Sequence, residues 1–186
     1  MNIRVTEKTE GPGWLVLIYR VPPEPTRLRS TVWRRIKSLG AIYLQNSAAA
    51  LPASASTERA LRKLRREIIE MSGTAVLLSC SVLAGETDVQ KAFQAARNDE
   101  YEEIVDRCED FLQQVKKEYT ANHFTYAELE ENEVDLVKLR NWFAKVSERD
   151  VFGAEGRQAA EKAIDECEQS LEAYAGRVYA EEAESP

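Results

Sequence analysis

Residues 14–19 read Trp-Leu-Val-Leu-Ile-Tyr, a short apolar run that follows Gly13 and precedes the pair Pro22-Pro23. A continuous apolar run of this length, rich in β-branched and aromatic residues, predicts a fully buried strand. Proline has no N–H to donate to a strand ladder, so the strand must end before Pro22. The fold therefore begins with a buried strand.

Two helices and three further strands follow. Apolar residues recur at spacings of three and four in two segments, which predicts two helices with one buried face each. The predicted helices are Thr26–Leu39 and Ser56–Met71, with Ser56 or Thr57 as the second N-cap, and the predicted strands are Ala41–Gln45, Ala48–Leu51 and a buried Thr74–Leu83. The order β-α-β-β-α-β is the split-βαβ, ferredoxin-like arrangement. It places both helices on one face of a four-stranded antiparallel sheet.

The chain changes character after a boundary near Ala84–Thr87. β-forming runs disappear from Asp88 onward, and apolar residues recur only at helical spacing, which is typical of antiparallel helices joined by short loops. The predicted helices are a short one around Phe93, then Asp99–Tyr119, Tyr126–Ser147 and Gln158–Ala180. We therefore predict an α+β protein with a ferredoxin-like module over 12–84 and an antiparallel helical bundle or hairpin over 88–180. The termini, 1–11 and 181–186, are predicted to be flexible.

Charge divides the chain in the same way. The formal net charge is −7, but residues 1–73 hold 13 Lys and Arg against 6 Asp and Glu. Residues 74–186 hold 12 Lys and Arg against 26 Asp and Glu. Such an asymmetry suggests that the two halves contact different partners, or each other.

Most basic residues of the first module lie on its two predicted helices, away from their apolar faces. Arginine outnumbers lysine, which suits bidentate contacts to phosphates or carboxylates. The functional interpretation is an electropositive surface that contacts a nucleic-acid backbone. The alternatives are a solvated face and docking against the acidic half of the chain. The candidate nucleic-acid-binding residues are Arg27, Arg29, Arg34, Arg35, Lys37, Arg59, Arg62 and Arg66.

A glycine-containing loop before the last predicted helix is a candidate oxyanion site. Its glycines allow backbone N–H groups to point inward ahead of a helix N-terminus, where anions are stabilised. The candidate oxyanion-binding residues are Arg149, Gly153, Gly156 and Arg157. A loop cap at a helix start is the alternative interpretation.

Signatures of catalysis, metal binding and membrane insertion are missing from the sequence. There is no dinucleotide-binding glycine motif, P-loop, Gly-x-Ser-x-Gly or His-Glu-x-x-His. His123 and the widely spaced Cys80, Cys108 and Cys167 form no zinc motif, so we expect free, buried or half-buried thiols. No apolar run approaches the roughly 20 residues that span a bilayer, and no signal peptide is evident. We expect a cytoplasmic, non-enzymatic protein without a cofactor or metal.

Two longer signatures are more specific than these general patterns. One is Trp33-Arg34-Arg35 followed by Leu39-Gly40-Ala41, and the other is Asp150-Val-Phe-Gly-Ala-Glu-Gly-Arg157. Shorter matching stretches are Trp14–Tyr19 with Pro22, Glu24-Pro25, Leu51-Pro52, Ala96-Arg97 and Glu100-Tyr101. Together, over about residues 12–175, they resemble the N-terminal region of ChrB-type chromate-resistance proteins. The first module also resembles the ferredoxin-like domains of phenylacetate-type repressors and of CRISPR adaptation proteins.

The resemblance implies a cytoplasmic, chromate-responsive transcriptional regulator that contacts DNA. It matches Arg34, Arg35, Arg149 and Arg157 to positions of the family motifs, although the chain has no obvious helix-turn-helix. Longer members carry a second, C-terminal domain connected with chromate sensing. The expected partners are therefore DNA, a second copy of the chain and a separate chromate-handling domain. Two other functions stay open: a chromate- or oxyanion-binding or redox accessory protein, and a non-catalytic protein-interaction domain.

Overall fold

The computed structural model of the chain describes residues 13–184. It contains four strands and five helices within that range. In chain order they are β1 (Trp14–Arg20), α1 (Arg27–Ser38), β2 (Ile42–Gln45), β3 (Ala48–Pro52), α2 (Ala55–Glu70), β4 (Thr74–Cys80), α3 (Glu86–Ala121), α4 (Tyr126–Arg149) and α5 (Arg157–Glu184). The chain divides into two compact units between Gln90 and Lys91, inside α3.

The first unit confirms the predicted α+β fold. Its sheet has the order β2-β3-β1-β4, and every neighbouring pair is antiparallel. Helix α2 packs on β1 and β4, and α1 contacts α2, so both helices share one layer. Leu17, Ile36 and Leu61 are fully buried between the sheet and this layer. The apolar run that begins β1 and the helical spacing of apolar residues in α1 and α2 produce this core.

The start of α2 differs from the prediction by two to three residues. Ser54, rather than Ser56 or Thr57, is the N-cap, and its hydroxyl accepts the backbone N–H of Thr57 at 3.1 Å. The Thr57 hydroxyl in turn accepts the Ser54 N–H at 2.9 Å, which completes a capping box. Ser54 combines extended backbone, with a φ of −149° and a ψ of 164°, with a side-chain hydroxyl, as an N-cap requires.

The prediction that β4 is buried is wrong, and the prediction for β1 is wrong at its end. Only Ala75 of β4 is buried, while Val76 and Leu78 are 55% and 43% exposed. In β1 the first four residues are buried but Ile18 is 47% exposed. Ile18 is paired with Val76, so the exposed residues share one face of the sheet, opposite to the face on which Leu17 packs against the helices. A continuous apolar run does not show how much of each face is covered.

The second unit is helical, as predicted, but its first helix is longer. The short helix around Phe93 and the segment from Asp99 are parts of one 36-residue helix, α3. No glycine or proline interrupts residues 86–121, so the polar residues at 98–100 are accommodated on an exposed or half-buried part of the helix. None of the helices between residues 13 and 184 combines the length and hydropathy needed to cross a bilayer.

Contacts among α3, α4 and α5 define their directions. Arg140 pairs with Glu168, and the Tyr126 ring packs edge-to-face against Tyr179, so α4 and α5 are antiparallel. The Cys167 thiol lies 3.5 Å from the Cys108 carbonyl oxygen at the centre of the shared core. Helix α5 continues through residues 181–184, which were predicted to be flexible, and an Arg177–Glu181 ion pair stabilises this last turn. The predicted flexible segment 1–11 and residues 185–186 lie outside the described residues.

Candidate nucleic-acid interface

The eight predicted nucleic-acid-binding residues are all exposed and lie on two neighbouring helices. Helix α1 carries five basic residues and no acidic one. Helix α2 carries five basic and three acidic residues. An ion pair between Arg35 Nη2 and Glu67 Oε1, at 3.5 Å, connects the two helices. The structure therefore brings the candidate residues of α1 and α2 to one side of the sheet, and we call them the basic helix surface.

Half of the basic helix surface is not engaged by other side chains. Arg62 pairs with Glu58 at 2.7 Å, and Arg59 donates to the Ala55 carbonyl at 3.1 Å. Lys37 lies 5.4 Å from the ring centre of Trp33. The guanidinium groups without a hydrogen bond or ion pair to residues 13–184 are those of Arg27, Arg29, Arg34 and Arg66. Unengaged guanidinium groups are the ones free to take a phosphate.

Trp33 adds an aromatic side chain to this surface. It is 51% exposed on α1, although the sequence placed it only at the edge of the apolar face. Arg29 and Lys37 are four residues before and after it, so both lie on the same flank of the helix. An exposed aromatic ring between cations is a surface on which nucleic-acid bases can stack.

Arg65 is a basic residue that sequence reasoning missed. It is exposed, and its Nε donates to the Ala75 carbonyl of β4 at 3.0 Å. The signal lay in the helical spacing, because residues 58, 62, 65 and 69 follow one flank of α2 beside the buried Leu61 and Leu64. That flank faces the sheet edge rather than the outer surface of the module.

The predicted oxyanion loop is organised by the chain's own polar groups. Both Asp150 carboxylate oxygens accept the Ala154 N–H at 3.0 Å, and Asn98 Oδ1 accepts the Gly156 N–H at 2.9 Å. Gly153 adopts a φ of +68°, which favours glycine. Arg157 is exposed at the start of α5. The loop donors are thus engaged within the helical unit, and oxyanion binding here stays a prediction.

Arg149, the remaining oxyanion candidate, belongs to a buried charge cluster. Its Nη2 lies 2.8 Å from Glu100 Oε1, and Arg97 Nε lies 2.7 Å from Glu100 Oε2. Arg97 is only 3% exposed. Burial lowers the pKa of the Arg97 guanidinium, and the charge of Glu100 opposes that shift. The adjacent Tyr101 hydroxyl donates to Asp150 Oδ2 at 3.2 Å, which joins the cluster to the loop.

The cluster explains why separate sequence signatures occur together. Ala96-Arg97, Glu100-Tyr101 and the segment Asp150–Arg157 are far apart in sequence but meet in the helical unit. A Cβ added to Gly156 would lie 3.1 Å from the Tyr101 Cβ, which is tighter than an ordinary van der Waals contact. These signature residues therefore hold α3 against the loop between α4 and α5.

The cysteines differ in exposure. Cys108 and Cys167 are buried free thiols, as expected, whereas Cys80 at the end of β4 is exposed, which corrects the expectation for it. The hydrogen bond with Cys108, together with burial, raises the pKa of the Cys167 thiol. A protonated, inaccessible thiol reacts slowly.

We therefore expect a thiol reagent such as Ellman's reagent to modify Cys80 rapidly in the folded chain. Cys108 and Cys167 should react only after unfolding, when three thiols become available. The Cys80→Ser variant is the control and should lose the fast phase alone. Fast modification of that variant under native conditions would show that the helical core opens readily.

The fold and the site together define a class: an α+β protein in which a split-βαβ module with two exposed basic helices precedes a helical unit. The family model for the N-terminal region of protein ChrB matches residues 29–185. The chain belongs to this family, because the match covers most of its length, and it is a ChrB-like, chromate-resistance-related protein. The family resemblance read from the signatures is thereby confirmed. No curated protein matches the chain.

Proposed function

We propose that the protein is a cytoplasmic regulatory module that contacts DNA phosphates through the basic helix surface and thereby controls transcription of chromate-resistance functions. The observation that carries the proposal is α1, with five exposed basic residues and no acidic one. Membership of the ChrB N-terminal family supplies the chromate context. A second copy and a separate chromate-handling domain stay predictions.

The charge distribution supports phosphate contact over a merely solvated face. Solvated helices usually alternate charges, so that acidic residues at spacings of three or four neutralise the basic ones. On α1 no such partner exists, and Arg27 and Arg34 lie two turns apart on its outer side. Concentrated positive charge of this kind attracts the dense negative charge of DNA. Phosphate contacts position a protein without reading bases, which fits the lack of a helix-turn-helix motif.

Removing four outward charges should weaken DNA binding strongly. For the variant R27Q/R29Q/R34Q/R66Q we expect at least about a tenfold higher Kd at about 100 mM salt. We also expect the slope of log Kd against log salt to fall by as much as about 3, because a chain that makes fewer phosphate contacts releases fewer counterions from the DNA. Fluorescence anisotropy with the duplex upstream of the protein's own gene, and with a scrambled duplex, measures both quantities.

The control removes the same number of charges from the helical unit. K116Q/K117Q/K145Q/K162Q alters four exposed lysines and leaves α1 and α2 unchanged. Its Kd and salt slope should stay within about twofold of the original chain. The proposal is contradicted if the unaltered chain fails to bind at about 50 mM salt, or if both variants lose affinity equally.

Chromate binding at the 149–157 loop has less support. Its Ala154 and Gly156 N–H groups are hydrogen-bonded to Asp150 and Asn98, and Arg149 pairs with Glu100. An incoming oxyanion would have to displace these groups. Calorimetric titration with chromate and with sulfate would reveal a selective oxyanion site, should one exist.

A further inference from the structure

One long edge of the sheet in the first unit is open. β4 is last in the sheet order, and within residues 13–184 its only paired neighbour is β1. Edge strands are usually blunted by charged residues, proline or a bulge. The β4 sequence Thr-Ala-Val-Leu-Leu-Ser-Cys contains no charge and no proline, and its seven residues pair with β1 without a register shift. The strand itself therefore has none of these protections.

The register shows which backbone groups face the open edge. The Tyr19 N–H donates to the Ser47 carbonyl at 2.9 Å, on the β3 side of β1, and Tyr19 is paired opposite Ala75. The N–H and C=O of Ala75 therefore point away from β1. Arg65 confirms this orientation, because its Nε reaches the Ala75 carbonyl. Because the direction of the backbone N–H and C=O groups alternates along a strand, those of every second residue of β4 point away from β1. The edge-facing residues are Ala75, Leu77 and Ser79.

A cationic groove runs beside this edge. It has a volume of about 880 Å³ and lies between β4 and α2. Leu15, Val76 and Leu77 contribute apolar surface to it. Its charged residues are five basic and one acidic: Arg59, Arg62, Lys63, Arg65, Arg66 and Glu58. The protection missing from the strand is thus replaced by positive charge on the neighbouring helix.

We infer that β4 and α2 form a docking site for an acidic polypeptide segment, which adds to the sheet as a fifth strand. Its backbone pairs with Ala75, Leu77 and Ser79, and its carboxylates contact the arginines of α2. Strand addition uses backbone groups of β4 that the DNA proposal does not need, whereas Arg59, Arg62 and Arg66 line the groove and also belong to the basic helix surface. The site selects for extended, acidic chains with apolar residues between the acids.

The charges and the backbone pattern disfavour two other occupants. A second copy pairing through its own β4 would bring two α2 helices, each with five basic residues, to one edge, and like charges destabilise such a contact. The phosphate oxygens of a nucleic-acid backbone accept hydrogen bonds only. These phosphates can satisfy the N–H groups of the edge but not the Leu77 and Ser79 carbonyls, which a polypeptide backbone satisfies together with the N–H groups.

A synthetic peptide tests the docking site directly. The probe is a fluorescent, N-acetylated Val-Glu-Val-Glu-Val-Glu-Val, and the charge control has Lys in place of Glu. Two further peptides are N-methylated, one at the glutamates and one at the valines. Because successive N–H groups of an extended peptide point to opposite edges, each methylated peptide lacks N–H groups along one of its two edges. We expect the acidic peptide to bind and the lysine peptide to fail. The two methylated peptides should differ in Kd by at least about tenfold.

A variant of the chain tests the same contact from the other side. Ser79→Pro removes an edge-facing N–H while leaving the β1 ladder intact, and proline is tolerated on such an edge. We expect S79P to weaken peptide binding by about tenfold and S79A to leave it unchanged. In the unaltered chain, hydrogen exchange at the Ala75, Leu77 and Ser79 amides should slow when the peptide is added.

The outcomes separate this inference from the DNA proposal. Equal affinity of the two methylated peptides, or unchanged exchange at the three edge amides, would overturn strand addition. Protection of the same amides by a single-stranded oligonucleotide, with no binding of the acidic peptide, would assign the groove to nucleic acid instead. S79P should keep the DNA affinity of the unaltered chain, because α1 and the outer side of α2 are not changed.

Discussion

Replacing Glu100 by alanine should lower the unfolding free energy of the helical unit by about 4 kcal/mol. Glu100 lies 2.7 Å from Arg97 Nε and 2.8 Å from Arg149 Nη2, so one carboxylate contacts both guanidiniums. Arg97 is almost completely buried. The E100A variant would remove the carboxylate that both cations contact in a region of low dielectric constant, which is the costly way to break a buried pair.

Chemical denaturation followed by far-ultraviolet circular dichroism measures this loss, because α3, α4 and α5 supply most of the helical signal. The matched control on the same helix is Asp110→Ala, which breaks the exposed Arg107–Asp110 pair. Its cost should stay below about 1 kcal/mol, as for most solvent-exposed pairs. The conservative variant E100Q should fall between the two, since it keeps the shape but not the charge. Equal losses for E100A and D110A would show that the cluster is effectively solvated.

Replacing Gly73 by alanine should destabilise the first unit by about 3 kcal/mol. Gly73 joins α2 to β4, where a Cβ would lie 2.6 Å from the Arg20 carbonyl oxygen and 2.8 Å from the Ile68 carbonyl oxygen. Both obstacles are backbone atoms held by β1 and α2, so no side-chain rotation relieves the clash. Either β4 must move away from α2, or the end of α2 must unwind.

Hydrogen exchange of the core amides of β1 and α2 would report this loss in the first unit alone. Gly13→Ala is the control within the same unit, because its Cβ would meet only ordinary contacts at 3.7 and 3.8 Å. We expect G13A to change stability by less than about 0.5 kcal/mol. A G73A variant as stable as G13A would indicate that the connection between α2 and β4 adapts easily.

Continuous apolar runs and the helical spacing of apolar residues were sufficient to predict the split-βαβ order, the two helices of the first unit and the helical character of the second. These patterns are local, since they involve residues only a few positions apart in the chain. Local patterns were insufficient for the unbroken α3 and for the N-cap of α2. A separate helix was predicted to begin at Asp99, yet Asn98 and Glu100 lie within the continuous α3 as partners of Gly156 and of two arginines, which are distant in the sequence or buried by packing.

The candidate site shows the same division. The sequence determined that α1 and α2 carry concentrated positive charge, and helical spacing placed it off the apolar faces. The contact between Arg65 and β4, and the open edge of β4, could not be predicted because they depend on which strand is last in the sheet. Strand order is set by pairing between segments that are distant in the sequence. Likewise, the sequence did not show that Arg149 pairs with Glu100 or that Asp150 accepts the Ala154 N–H of the loop. Composition and periodicity thus determine where the helices and strands lie and which of them are charged. The partner of a charged side chain is decided by the tertiary structure, because that partner usually comes from a distant segment of the chain.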